Sequence, residues 1–296
     1  MSIEIHTEDK KGIPGYQHET FINNGKSDIA QSTSNGSNIE QIQLIEGDCR
    51  KVLLGLKPGT GSLILTSPPY NIGKEYEKHQ SIDAWTTDQK LIIGLAIRAL
   101  KDGGSICWQV GNHVNRGEIL PLDSIIIALM REAGLKIRNR IIWTFGHGLH
   151  CKKRLSGRHE TVVWATKGDD YTFNLDPIRI PQKYPQKKYY KGPKKGQLSG
   201  HPLGKNPGDV WEITNVKHNH PEKTEHPCQF PEELVRRFML ALSDPGDLVI
   251  DPYAGSGTSG VVAQRLNRKA ILIERDSNYV SIARARLGIN LEDHVH

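Results

Sequence analysis

The sequence predicts an α/β fold with a mostly parallel, doubly wound sheet and an antiparallel edge strand. Three observations lead to this fold. Apolar runs of strand length alternate with helical patterns of about 10 to 15 residues, which is typical of a parallel sheet with helices on both faces. The run from Ser62 to Thr66 is continuous, as expected of a buried central strand. A glycine-rich loop after Asp251 joins a strand directly to a helix.

The first half of the chain supplies most of the predicted sheet. Strand patterns end where glycine, proline or acidic residues interrupt them, and helical patterns show apolar residues three and four positions apart. The helix from Asp88 to Leu100 is expected to be capped by Thr87 or Asp88. The predicted strands here are 42–46, 62–66, 105–111, 135–145 and 159–167, the last antiparallel to its predecessor, and the predicted helices are 49–56, 88–100 and 122–134.

Regular patterns disappear between Gly168 and Lys223, where seven prolines occur. This span is too long for an ordinary loop, so we interpret 168–224 as an inserted recognition region. Residues 1–38 are polar and lack periodicity, and we expect a flexible arm. The remaining ranges, 39–167 and 225–296, are the two halves of one domain. The second half contains predicted helices at 231–243, 260–266 and 278–287 around the strands that begin at Asp247 and Ala270.

Composition restricts the class of protein. No apolar run is long enough for a membrane span, and the N-terminus lacks the apolar stretch of a secretory signal, so we expect a cytoplasmic protein. The four cysteines and thirteen histidines show no metal-ligand spacing, and we expect no metal.

The charge distribution indicates a polyanionic partner. The net charge is +6, and the span from Pro177 to Gly208 contains eight lysines or arginines and no acidic residue. Three tyrosines lie among these cations, which favours contact with nucleic-acid phosphates. The cations that we expect to bind DNA are Lys187, Lys188, Lys191, Lys194 and Lys195.

The glycine-rich loop is the first motif with a chemical function. It reads Asp251-Pro252-Tyr253-Ala254-Gly255-Ser256-Gly257-Thr258, and the helix that follows offers free N–H groups to a ligand. Glu274 ends the next predicted strand, 17 residues after Gly257, where a carboxylate can accept hydrogen bonds from ribose hydroxyls. By itself the loop fits a nicotinamide dinucleotide also, because Gly260 supplies the third glycine of that pattern.

The second motif is Ser67-Pro68-Pro69-Tyr70, directly after the buried strand. Two prolines hold the backbone extended, and neither can donate a hydrogen bond. We expect the carbonyls of Ser67, Pro68 and Pro69 to be free acceptors, which is the complement that an exocyclic base amine requires. Tyr70 can stack on a base that has left the helix. A plain proline turn with a core tyrosine is the alternative for this motif alone.

Together the two motifs resemble the S-adenosylmethionine-dependent DNA amino-methyltransferases of restriction-modification systems. That family combines an (Asp/Asn/Ser)-Pro-Pro-(Tyr/Phe) motif with a loop of the form Asp-x-(Phe/Tyr)-x-Gly-x-Gly-Thr. The catalytic motif here precedes the loop, and this order resembles the circularly permuted β group. The resemblance extends from about Gln43 to Leu287 and implies a Rossmann-like class I methyltransferase fold. A dinucleotide enzyme would leave Ser67-Pro68-Pro69-Tyr70 unexplained.

The resemblance also assigns roles to single residues. Ser67, Pro68, Pro69 and Tyr70 would be catalytic, and Asp48 would contact the adenine of S-adenosylmethionine. His226 would lie near the methionine carboxylate, and Arg158-His159-Glu160 would have a structural or phosphate-positioning role. The other cofactor residues implied are Asp251, Tyr253, Gly255, Ser256, Gly257, Thr258 and Glu274.

The implied reaction is direct transfer of a methyl group to a base amine in double-stranded DNA. The Thr66-Ser67-Pro68-Pro69-Tyr70 form resembles the cytosine-N4 branch, whereas adenine-N6 members more often carry Asp at the position of Ser67. Adenine-N6 methylation is therefore the main alternative, and a DNA-binding module without catalysis is a second. Cytosine-5 methylation needs a cysteine nucleophile after proline, and we expect Cys228 to be a packing residue instead. A partner restriction endonuclease is implied, and a monomer or homodimer is expected.

Overall fold

A computed structural model describes residues 41–70, 80–146, 148 and 150–289. The predicted arm, 1–38, lies outside these residues. The strands within them are β1 (Ile42–Glu46), β2 (Gly61–Thr66), β3 (Leu100–Val110), β4 (Asn112–Asn115), β5 (Glu118–Pro121), β6 (Lys136–Thr144), β7 (His159–Thr166), β8 (Val210–Glu212), β9 (Leu248–Asp251) and β10 (Lys269–Glu274). The helices are α1 (Cys49–Gly55), α2 (Ile82–Ala99), α3 (Leu122–Glu132), α4 (Glu232–Leu242), α5 (Thr258–Arg265) and α6 (Ser277–Leu287).

Eight of the described strands form one sheet in the order β1-β10-β9-β2-β3-β7-β6-β8, and β4 pairs with β5 alone. Every neighbouring pair from β1 to β3 is parallel. The predicted mostly parallel α/β fold is confirmed.

The antiparallel strand is β7, and its predicted place at the edge is corrected. It pairs antiparallel with β3 on one side and with β6 on the other, and β8 forms the edge beyond β6. The burial of the strands gives the reason. All residues of β7 from Thr161 to Thr166 are buried, whereas β6 is buried only at Ile141 and Trp143. The more apolar strand therefore occupies the interior position.

The order of strands in the sheet differs from their order in the chain. Strand β9 pairs with β2, so that Ile250 lies beside Ile64. The catalytic motif follows β2 and the glycine-rich loop follows β9, and both therefore leave the sheet at the same edge. The two motifs therefore lie next to each other despite their long separation in sequence.

Two hydrophobic clusters cover the two faces of the sheet. One includes Leu63 on β2 with Phe238 of α4 and Val261 of α5. The other includes Ile64 on β2 with Ile92 of α2 and Ile126 of α3. Successive residues of β2 thus face opposite clusters, which explains its continuous apolar sequence. Within the described ranges, no helix is long and apolar enough to cross a membrane.

The predicted start of α2 at Asp88 is wrong by six residues. The helix begins at Ile82, and the Ser81 side chain accepts a hydrogen bond from the Ala84 amide at 3.1 Å. The first turn includes Ile82, Ala84 and Trp85, of which only Trp85 is buried. The polar run from Thr86 to Lys90 separates this turn from the apolar pattern that begins at Leu91, so the sequence pattern does not include it.

The predicted insertion, 168–224, contributes to the sheet as well as to the surface. Strand β8 extends the sheet beside β6, and Trp211 and Ile213 are buried in the first cluster. The middle of the insertion is different, because the residues from Lys183 to Leu198 are all exposed.

We predict that Leu63→Ala lowers the free energy of unfolding by about 2–5 kcal/mol, because Leu63 is fully buried between sheet and helices. Urea unfolding followed by circular dichroism measures the change. Leu54→Ala is the control, since Leu54 is 61% exposed and its loss should change stability by about 0.5 kcal/mol or less. Equal effects of the two substitutions would contradict the placement of β2 at the centre of the core.

Candidate active site

A cleft opens at the carboxyl ends of the parallel strands β1, β10, β9 and β2. This is the edge at which open α/β sheets bind ligands. Every predicted catalytic and cofactor residue except Gly257 lines this one cleft. Those residues are Asp48, Ser67, Pro68, Pro69, Tyr70, His226, Asp251, Tyr253, Gly255, Ser256, Thr258 and Glu274.

The catalytic motif leaves β2 with one carbonyl already in use. The indole N–H of Trp85 donates to the Pro69 carbonyl at 2.8 Å. The expectation of a free carbonyl at Pro69 is therefore wrong, and the Trp85 contact instead fixes the path of the motif. Pro68 is buried and lines the cleft.

Tyr70 lies against the end of β3. A Cβ atom at Gly111 would be 3.3 Å from the Tyr70 ring, so glycine at this position lets the ring approach the backbone. The Tyr70 hydroxyl is 3.0 Å from Ser67 Oγ, and it donates to Glu160 Oε2 at 3.4 Å. The two polar side chains of the motif therefore belong to one hydrogen-bonded group.

Asp251 links the two motifs. Its carboxylate accepts hydrogen bonds from Thr66 Oγ1 at 2.6 Å and from the Tyr253 amide at 3.1 Å, and Ser259 Oγ donates to its second oxygen. Burial raises the pKa of Asp251 to about 6 against the effect of these hydrogen bonds. Both carboxylate oxygens bind other groups of the protein, which indicates that Asp251 holds the two motifs in place.

The two glycines of the loop serve different contacts. Gly255 has φ +51°, and a Cβ atom there would be 2.9 Å from His226 Nε2. Gly257 has φ +76° and caps the start of α5, where a Cβ atom would be 2.9 Å from Ala283 of α6. Gly255 thus allows a close approach within the cleft, whereas Gly257 allows packing of the loop on α6. This explains why Gly257 does not line the cleft.

His226 is buried and held in one orientation. Its Nδ1 accepts a hydrogen bond from the Cys228 amide at 3.2 Å, and its ring centroid is 4.4 Å from that of Tyr279. Burial lowers the pKa of His226 to about 4. The imidazole is therefore neutral near pH 7, and because Nδ1 is an acceptor, Nε2 carries the proton and can donate a hydrogen bond.

Glu274 stands at the end of β10 as predicted. Its carboxylate accepts backbone hydrogen bonds from Gly255 at 2.9 Å, from Arg275 at 2.8 Å and from Asp276 at 2.9 Å. A carboxylate has about four acceptor positions, so these bonds orient Glu274 and leave it able to accept another. The position fits a ligand that carries hydroxyl groups.

The Asp48 carboxylate binds mainly to the neighbouring residue Arg50. It caps α1 through the Arg50 amide at 2.9 Å, and the Arg50 guanidinium binds both carboxylate oxygens. The hydrogen bonds from Arg50 hold the pKa of Asp48 below its usual range. Arg50 lines the cleft too, and the sequence patterns did not single it out.

Tyr253 projects from the loop towards α2. Its hydroxyl accepts a hydrogen bond from Gln89 Nε2 at 3.3 Å, and its ring meets Trp108 edge to face at 6.3 Å. Tyr253 thus forms part of the wall between the cleft and the second cluster. Burial raises its pKa well above the ordinary value for a phenol.

The loop is braced from behind by Arg286 on α6. This side chain donates to the Ser256 carbonyl at 3.0 Å and to Thr258 Oγ1 at 2.9 Å, and it pairs with Glu232 at 2.9 Å. No sequence motif indicates the role of Arg286, because this residue lies on α6, a helix that begins some twenty residues after the loop.

Cys228 is exposed and lines the cleft, so the expectation that it is a packing residue is wrong. It lies in the segment between His226 and α4, whose other cleft residues are Gln229 and Phe230. In the parts of the chain that the structure describes, no group of histidine, cysteine or acidic residues could hold a metal ion.

The predicted DNA-binding lysines lie outside the cleft, on the exposed middle of the insertion. Antiparallel bridges pair Ile180 with Lys205 and Lys188 with Leu198, so that 180–205 forms a hairpin-like projection. We call this segment the basic hairpin. Its five predicted lysines, Lys187, Lys188, Lys191, Lys194 and Lys195, are all exposed.

The sheet order and the cleft at its carboxyl edge define a class I, Rossmann-like methyltransferase fold. Residues 62–285 match the DNA methylase family, and the chain belongs to that family.

The chain is similar to three known proteins. The type II methyltransferase M.BglII of Bacillus subtilis is 48% identical over 242 residues, which are 81% of this chain and 67% of that protein. The DNA adenine methyltransferase YhdJ of Escherichia coli K12 is 33% identical over 83% of this chain and 82% of its own. The solved structure of the cytosine-N4-specific PvuII DNA methyltransferase has a TM-score of 0.68, with 21% identity over 87% of this chain and 89% of its own.

We predict that Glu274→Ala weakens the binding of S-adenosylmethionine by about tenfold or more, because a hydrogen bond to a charged acceptor contributes roughly 1.5–3 kcal/mol. Loss of the bond to the Gly255 amide acts in the same direction. Isothermal titration calorimetry measures the affinity. Glu233→Ala on α4 is the control, since Glu233 pairs with Arg236 and Arg237 and does not line the cleft. Unchanged affinity in Glu274→Ala would remove Glu274 from the ligand site.

Proposed function

We propose that this protein is a site-specific DNA methyltransferase that transfers a methyl group from S-adenosylmethionine to the exocyclic N4 amine of cytosine in duplex DNA. One observation carries the proposal. Ser67 and Pro68 line the same cleft as the glycine-rich loop and Glu274, although the two motifs are far apart in the chain.

The residues of the cleft fit the cofactor. Glu274 is oriented to accept from ribose hydroxyls, and Gly255 leaves space beside His226 where a side chain would collide. The neutral His226 imidazole and the start of α5 can bind the polar methionine end. S-adenosylmethionine supplies a methyl group on a cationic sulfur, which takes the bonding electrons when a nitrogen lone pair attacks.

The catalytic motif would act on the base amine. Ser67 Oγ and the Pro68 carbonyl accept its two hydrogens and direct its lone pair at the methyl group. Proximity and orientation of this kind contribute a large part of the rate. The Tyr70 ring supports the base after it has left the helix. A strong general base is not required, because the amine becomes acidic once it carries the methyl group and can release its proton to water.

Ser67 favours cytosine as the target. The Ser-Pro-Pro-Tyr form resembles the cytosine-N4 branch, and the PvuII enzyme of similar fold is cytosine-N4-specific. YhdJ is a DNA adenine methyltransferase, so adenine N6 is the second candidate. Both bases present an exocyclic amine to the same acceptors.

The basic hairpin is the proposed DNA-binding surface. Its exposed lysines can contact phosphates while neighbouring side chains of 168–224 reach the groove. Because relatives are type II methyltransferases, we further propose that the protein acts in the cytoplasm beside a restriction endonuclease of the same specificity, as a monomer or homodimer.

The base is tested with tritiated S-adenosylmethionine and duplex DNA from cells that lack this protein. We expect label in N4-methylcytosine after digestion to nucleosides. Label in N6-methyladenine would assign the second candidate, and DNA binding without transfer would contradict enzymatic function. Sequencing that reports modified bases, on DNA from cells expressing the protein, gives the recognition site.

The hairpin is tested by the salt dependence of DNA affinity. Each phosphate contact contributes about 0.9 to the slope of log affinity against log salt. We expect joint substitution of Lys187, Lys188, Lys191, Lys194 and Lys195 by alanine to reduce this slope by several units. Lys57→Ala with Lys90→Ala is the control, because both lysines are exposed elsewhere on the protein. An unaltered slope would place the DNA on another surface.

A further inference from the structure

Glu160 is a partly buried carboxylate beside the catalytic motif, and the proposed reaction assigns it no role. It is the second residue of β7, between β3 and β6. Its Oε2 atom accepts a hydrogen bond from Gln109 Nε2 of β3 and from the Tyr70 hydroxyl at 3.4 Å. Removing a carboxylate from water even in part costs stability, and here the cost falls next to the motif.

The direction of hydrogen bonding follows from chemistry. An ionised carboxylate can only accept, so the single proton of the Tyr70 hydroxyl points at Glu160. The Tyr70 oxygen is 3.0 Å from Ser67 Oγ and has no further proton to donate. The Ser67 hydroxyl must then donate to Tyr70. Its oxygen lone pairs are left to face the cleft.

We infer that Glu160 is a positioning residue which acts through Tyr70 to hold the Ser67 hydroxyl as a hydrogen-bond acceptor for the target amine. This inference rests on the proposed methyl transfer and applies equally to cytosine and adenine. Without the carboxylate, Ser67 is free to turn its proton towards the amine nitrogen. Such a bond would occupy the lone pair that has to attack the methyl group.

The surroundings of Glu160 support this role. Gln109 on β3 and Trp143 on β6 are uncharged neighbours, and Gly111 brings the backbone close to the Glu160 side chain. On the same strand, His159 is exposed, and Arg158, which precedes the strand, donates to the Gly157 carbonyl. Burial raises the pKa of Glu160 to about 7, against the hydrogen bonds from Gln109 and Tyr70.

The sign of the pH dependence follows. Below its pKa, Glu160 gains a proton that it can donate to Tyr70, and the fixed direction from Ser67 to Tyr70 to Glu160 is lost. The rate of methyl transfer should therefore rise as the pH increases through about 7 and level off above it. If Glu160 had only a structural role, the rate of methyl transfer would not rise with pH in this range.

The test measures single-turnover transfer of tritiated methyl to unmodified duplex DNA. Tyr70→Phe keeps the ring but removes the hydroxyl, and Glu160→Gln keeps the shape but removes the charge. We expect each to lower the rate by about tenfold, with unchanged S-adenosylmethionine affinity, since one hydrogen bond to a charged group is lost. The double variant should be no slower than the slower single variant, because both interrupt one chain of bonds.

Two further readouts separate positioning from packing. Glu160→Gln should lose the rise in rate through neutral pH. In a Ser67→Ala background, neither Tyr70→Phe nor Glu160→Gln should slow the residual reaction further. Tyr171→Phe and Glu118→Gln are matched controls outside the cleft and should retain the wild-type rate and pH profile.

Three results would decide against the inference. Glu160→Gln could keep the wild-type rate and pH profile, or its effect could persist without Ser67, or the double variant could show additive losses. If Glu160→Gln does not fold, Tyr70→Phe tests the same chain of hydrogen bonds through its rate, its pH profile and its Ser67→Ala combination. If the wild-type protein transfers no methyl to DNA, the proposed function itself fails, which is a distinct outcome from normal transfer by an unaffected Glu160→Gln.

Discussion

The Asp251 carboxylate joins the two halves of the site, and the arrangement of the cleft depends on it. Thr66 is the last residue of β2, and its hydroxyl donates to Asp251 at the end of β9. Ser259 in α5 donates to the same carboxylate. The residue before the catalytic motif and the helix after the glycine-rich loop are thus held by one side chain. Because Asp251 is buried, water competes little for these bonds, and leaving either partner unsatisfied would be costly.

Around this link, the protein fixes each wall of the cleft with a separate contact. Trp85 holds the catalytic motif by the Pro69 carbonyl, and Glu274 holds the loop by the Gly255 amide. Arg286 supports the loop from the side that faces away from the ligand. These contacts come from α2, β10 and α6, so the geometry of the site depends on the whole sheet and its helices. Groups that orient a reaction must be held in this way, since small displacements of reacting atoms cost much of the rate.

The sequence was sufficient for the fold and for most of the lining of the cleft, because strands, the glycine-rich loop and the proline pair are local patterns. The failures have physical causes. Five polar residues, Thr86 to Lys90, separate the first turn of α2 from the apolar pattern that begins at Leu91. The interior position of β7 in the sheet depends on its being more buried than β6, and a local sequence pattern does not predict this comparison. Arg286, which no motif indicates, and the contact between Glu160 and Tyr70 both join elements far apart in the chain. The hydrogen bonds of Asp251 with Thr66 and Ser259 could not be predicted either, because the motif shows only that Asp251 precedes the loop.

We expect the Asp251 contacts to hold the bound methyl donor next to Ser67 and Pro68, the acceptors for the amine. A crystal structure of the protein with bound S-adenosylmethionine tests this most directly. We expect the ribose hydroxyls to bind Glu274 and the sulfonium methyl to point at the space in front of Ser67 and the Pro68 carbonyl. A ligand bound in the cleft with its methyl directed away from Ser67 and Pro68, or one bound outside the cleft, would contradict this claim.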